Sequence, residues 1–80
     1  MRYKYYIAYG KLGSNPWLFE TSEQHIQKVY AHFVSKGYES VLPFRVEEVY
    51  KFKRGTIFNS SVPWEFVHER VVELKLYNKT

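Results

Sequence analysis

Apolar and polar positions alternate at the start of the chain, where Tyr3, Tyr5, Ile7 and Tyr9 are interleaved with Arg2, Lys4, Tyr6 and Ala8. A period of two sends successive side chains to opposite faces, so this segment predicts a strand whose odd positions meet the core. The period changes in ETSEQHIQKVYAHFVSKGY, residues 20–38, where apolar side chains fall at Ile26, Val29, Tyr30, Phe33 and Val34. That is the spacing of a single buried helical stripe. Thr21 with Gln24 three residues on reads as a capping box, and Gly37 supplies a left-handed stop, with Tyr38 placed to touch Phe33. This stretch carries both a start and a stop signal, so the flanking strands are expected to assemble around it.

Between strand and helix, Gly13, Ser14, Asn15 and Pro16 predict a loop. The Trp17, Leu18 and Phe19 that close it are too apolar to stay in water. They either fold back over one end of the core or anchor a partner, since Trp and Tyr dominate interface hot spots.

Past the helix, Pro43 lacks an amide donor and so marks the start or a break of the next ladder. In FRVEEVYKFK, residues 44–53, Phe44, Val46, Tyr50 and Phe52 share one face with Glu48 out of place, while Arg45, Glu47, Val49, Lys51 and Lys53 share the other. A bulge near Glu47 and Glu48 reconciles the two. Arg54 and Gly55 read as a turn, and residues 56–58 as a short returning strand.

Two periods fit the last third. As a helix opened by Ser61 and Pro63, it aligns Trp64, Val67 and Val71 but stacks Glu65, Glu69 and Glu73 at like-charged spacing. As a strand, Val72, Leu74 and Leu76 alternate with Glu73, Lys75 and Tyr77. The expectation is a short helix over residues 62–67, then a strand from 70 to 77. The whole predicts a small α+β domain over residues 1–80: a three- to four-stranded, mostly antiparallel sheet with one main α-helix packed on one face.

Composition narrows the chemistry. The 80 residues include no cysteine, which rules out disulfides, thiolate metal sites and Cys nucleophiles and favours a reducing, cytoplasmic setting. Stabilisation falls instead to aromatics, 20% of the chain, each able to bury a large area. The start, MRYKYYIAYG, has no apolar run of the kind a secretory leader or membrane span needs. All eight acidic residues are Glu. His25 and His32 lie seven apart rather than at the four-residue spacing of a helical metal pair, and there is no phosphate-binding glycine loop or nucleophile elbow. No catalytic residue, metal or cofactor is therefore expected, and the chain reads as a binding protein rather than an enzyme.

The net charge of +4 favours an acidic partner without reaching the density of a dedicated basic arm. In the expected register the sheet face turned from the helix mixes amines and phenols. Lys4, Tyr6, Lys51, Lys53, Arg54, Lys75 and Tyr77 then form a candidate nucleic-acid surface, with cations for phosphates and rings for bases. An ordinary solvated sheet face has the same composition. The first reading is a protein–protein interface of accessory or inhibitor type, using an aromatic patch of Trp17, Phe19, Trp64 and Tyr77 rimmed by Lys and Arg. In size, lack of cysteine and tyrosine richness, the chain resembles the small accessory proteins of phages and mobile elements, some of which inhibit host machinery. An unpaired edge strand, the first or the last, also offers a route to a homodimer.

Overall fold

A computed structural model describes residues 2–49 and 62–74. Three strands, β1 (Tyr3–Gly10), β2 (Trp17–Thr21) and β3 (Ser40–Glu47), form an antiparallel sheet in the order β2-β1-β3. The main helix α1 (Ile26–Ser35) lies on one face, and a short helix α2 (Trp64–His68) on the other. The described residues thus form a small α+β fold with one main helix.

β1 is central, so both of its edges are paired and it is not the free edge expected of the first strand; with α1 on one face and α2 on the other, Tyr5, Tyr6, Ile7 and Ala8 are all buried. Its odd positions meet α1 as expected: Tyr5 and Ile7 form one core with Ile26 and Phe33, joined by Tyr9, Val29 and Tyr30. Its even positions form a second core. Tyr6 and Ala8 pack with Phe44, Val46, Val62, Trp64 and Val67, and Tyr6 stacks on Phe44 with ring centroids 5.4 Å apart.

The register corrects several expectations. Tyr6 stands opposite Phe44 and Tyr5 opposite Arg45, so Phe44 and Val46 face α2, while Arg45 and Glu47 share the α1 side with Tyr3 and Tyr5. The expected assignment of this strand's two faces is therefore inverted. In place of a bulge, the strand ends at Glu47 and turns at Glu48 and Val49. The far face, expected to be wet, is closed by α2. The stripe of Trp64 and Val67 won because those two side chains are buried against the sheet, and α2 stops at His68 before Glu65, Glu69 and Glu73 are stacked on consecutive turns.

Thr21 does not cap α1. It is spent as the last residue of β2, paired with Tyr5, and the turn is made one residue later, where the Ser22 carbonyl accepts from the amides of His25 and Ile26. The helix accordingly begins at Ile26. Its stop falls where expected, at Gly37 with φ +83°, and Tyr38 reaches Phe33 with centroids 6.0 Å apart. Val34 was expected in the stripe and is 48% exposed instead.

Pro43 lies inside β3 rather than at its start. Val72 N–H donates to the Pro43 carbonyl, and Arg45 N–H to that of Arg70, so these odd residues turn their backbone groups toward residues 70–72. The missing proline donor therefore faces outward and removes no bond to β1. Of the expected last strand, the described part pairs at a bridge between Phe44 and Val71. The expected turn at Arg54 and Gly55, the strand at 56–58 and residues 75–77 lie outside the described residues.

Candidate functional site: an aromatic patch on the outer strand

Residues 17–19, expected as the end of a loop, belong to β2, where Trp17 stands opposite Tyr9 and Phe19 opposite Ile7. Cross-strand partners share a face, so both aromatics project on the α1 side, while Leu18 packs into the α2 core. The helix lies mainly over β1 and β3 and reaches β2 through Phe33, whose ring is 5.4 Å from that of Phe19. Half of each β2 aromatic is left in water as a result: Trp17 is 42% and Phe19 45% exposed.

Phe33 is the hub. Tyr9 stacks on it at 4.3 Å, Tyr38 lies 4.8 Å from Tyr9, and His32 meets Phe33 edge-on at 5.7 Å. Tyr38 is 40% exposed. Gly10, at φ +135°, lets the Trp17 indole settle over the backbone; a Cβ there would sit 3.4 Å from Trp17 Cδ1. Burial pushes the Tyr9 phenol above its ordinary pKa, and the nearby Tyr38 phenol adds to the shift. Tyr9 therefore stays neutral through the physiological range. The result is a surface of exposed rings packed against buried ones, with phenol groups contributed by Tyr9 and Tyr38.

The predicted patch is only partly assembled. Trp17 and Phe19 come together on the α1 face, but Trp64 is 7% exposed in the opposite core. Its indole N–H is shared between the carbonyls of Lys11 and Ser14, at 3.0 and 2.8 Å, which pins the loop between β1 and β2. Trp64 is thus a structural clasp, and Tyr77 lies outside the described residues. Tyr38 takes the place expected of Trp64. The sequence did place it against Phe33, but as a helix cap; its exposure depends on where α1 ends relative to β2.

The face required for the nucleic-acid surface is occupied by α2. Tyr6 is buried there, which removes its ring from any base, and Lys4 is half-buried beside it. Lys51, Lys53, Arg54 and Lys75 lie outside the described residues. Arg45, expected on that face, is on the other: its guanidinium covers the Tyr3 ring at 4.1 Å. A hydrogen bond with the Tyr5 phenol is the main cause holding Arg45 above its ordinary pKa, and Tyr3 and Glu23 add favourable charge. It lines an open cavity of about 530 Å³ with Tyr5, Glu23, Gln27, Glu73 and Leu74, between α1, β3 and the last described residues. Charges of both signs meet there.

No family model, curated protein or solved structure matches the chain. Its own geometry is what bears on function. Among the described residues no group of three or more His, Cys, Asp or Glu is placed to hold a metal ion, and no helix is long and apolar enough to cross a membrane.

Proposed function

We propose that this chain is a cytoplasmic protein-binding domain of accessory or inhibitor type, acting by binding rather than catalysis and docking its partner on the aromatic patch of Trp17, Phe19 and Tyr38. The observation that carries this reading is the convergence of three aromatics from two separate segments, each 40–45% exposed: Phe19 and Tyr38 lie against the buried Phe33, and Trp17 stands beside them opposite Tyr9. Large rings held stiffly by their neighbours lose little entropy when a partner covers them, and interface hot spots are built from such residues. The absence of cysteine supports the cytoplasmic setting.

Affinity capture from the native cell tests it, using the wild-type domain and three baits carrying Trp17→Ala, Phe19→Ala or Tyr38→Ala. One protein retained by the wild type and depleted at least tenfold on each variant is expected, with every bait still folded by circular dichroism. Equal recovery on all four baits would overturn the reading. A gel shift with single-stranded DNA and RNA at low salt is expected to be blank, on the ground that Tyr6 is buried beneath α2 and cannot stack on a base.

A further inference from the structure

The patch borders the outer edge of β2, and the polarity of the ladder says what that edge offers. Glu48 N–H donates to the Arg2 carbonyl at 2.9 Å, so the even residues of β1 turn their backbone groups toward β3 and the odd ones toward β2. Ile7 pairs with Phe19, so Trp17, Phe19 and Thr21 point inward to β1, and Leu18 and Glu20 point outward. Among the described residues nothing pairs with this outer edge. Edges are ordinarily guarded by charged side chains, above all Lys, by Pro, by a bulge or by being very short; the five residues WLFET include no Lys, Pro or bulge. Its one charge is Glu20.

We propose that two copies of this chain pair their β2 strands antiparallel about a two-fold axis through Phe19, joining two three-stranded sheets into one and two aromatic patches into one docking face. The inference takes the docking face proposed above as its starting point.

The register explains why the occupant is a second copy. With Phe19 opposite its own equivalent, Leu18 of each copy faces Glu20 of the other, and both pairs exchange their outward N–H and C=O groups. Phe19 then occupies a non-hydrogen-bonded site, where opposed Cα atoms lie about 4.5 Å apart and side chains approach most closely. Trp17 meets Thr21, and Glu20 meets the aliphatic Leu18 rather than another carboxylate, so no like charges are opposed. One contact is thereby satisfied by its own symmetry mate, as an isologous interface requires. Because α1 lies over β1 and β3, a trough remains between the two helices, floored by Trp17 and Phe19 of both copies. Three half-exposed rings offer roughly 300 Å², well short of the ~800 Å² per partner of a standard interface. Doubling the patch narrows that gap.

Sedimentation over a range of concentrations is expected to show a monomer–dimer equilibrium for the wild type and loss of the dimer in Glu20→Pro. The N–H at position 20 points outward, so this proline removes no bond to β1, and its ring blocks the edge. A second arm does not depend on tolerance of proline. The chain has no cysteine of its own, and Phe19→Cys places two thiols within disulfide range across the axis. Mild oxidation is expected to link Phe19→Cys copies at least tenfold faster than Glu20→Cys copies, whose thiols are offset along the strands. A wild type that stays monomeric, a folded Glu20→Pro that stays dimeric, or equal cross-linking rates would overturn the dimer. A monomer that still captures a partner through the patch would sink the dimer alone; a dimer with patch-independent capture would sink the docking reading alone.

Discussion

The two faces of the sheet are closed in opposite ways. On one, α1 carries the strongest helical signal in the sequence, yet it leaves Trp17, Phe19 and Tyr38 between 40 and 45% exposed. On the other, the five residues of α2 bring Trp64 and Val67 onto Phe44, Tyr6 and Ala8, and Phe44, Ala8 and Val67 have no exposed surface. Helix length does not measure how well a face is covered. What matters is where the apolar side chains fall over the strands: α1 is centred on β1 and β3, whereas α2 sets a tryptophan where it both fills the core and bonds the loop. The incompletely covered side is the one with rings left over for a partner.

This contrast can be broken at its strongest point. Trp64→Ala removes a buried indole and the donor shared by Lys11 and Ser14, and is expected to cost about 3–5 kcal/mol. In an 80-residue domain that is a large share of a total of about 4–12 kcal/mol, and the urea midpoint should fall steeply or the transition disappear. Trp17→Ala deletes the same side chain on the other face at about 1–2 kcal/mol, since nearly half of it is already in water. Equal losses of urea midpoint for the two variants would refute the asymmetry.

Phe33→Ala falls between them in kind. It is expected to cost about 3 kcal/mol and to loosen Tyr9, Phe19 and Tyr38 together, so near-ultraviolet circular dichroism should lose aromatic signal beyond that of a single ring. Retention of that signal would mean the rings do not depend on the hub. Gly37→Ala is expected to cost about 1 kcal/mol. A Cβ there meets nothing within 4 Å, so the whole cost comes from the backbone at φ +83°. Its folded state should keep the Tyr38 contact, and Gly37→Asn should recover part of the loss.

The smallest effect is a pH dependence. The Tyr9 phenol is held above its ordinary pKa, so the neutral form is favoured in the folded state. The associated stability is fully present below the unfolded phenol's pKa, about 10, and is lost as pH rises through the higher folded value. Tyr9→Phe keeps the stack on Phe33 and removes the titration. Compared with the wild type, its urea midpoint is expected to fall less between pH 8 and the alkaline range, and an identical fall would show that Tyr9 does not contribute.

Much of the frame was legible in the sequence because it rests on short-range periodicity. The alternation in β1, the stripe of Ile26, Val29, Tyr30 and Phe33, and the Gly37 stop with Tyr38 against Phe33 all require only neighbours along the chain. The errors share a cause. Thr21 has a capping side chain, but the partner strand claimed it first; Phe44 and Arg45 exchanged faces because the side of the sheet a residue takes is set by its partner on β1. A period of two cannot supply that choice.

Of the candidate site, the sequence identified Trp17 and Phe19 from their apolar character next to a loop, and it determined on its own that chemistry by cysteine or Asp is absent. It also determined that one amphipathic helix must find a sheet. Tertiary structure alone decided that Trp64 is a clasp in the core, that Tyr38 joins the patch, and that the other sheet face is covered. Those outcomes depend on where α1 and α2 settle across strands distant in the chain, and packing between remote segments leaves no local mark in the order of residues.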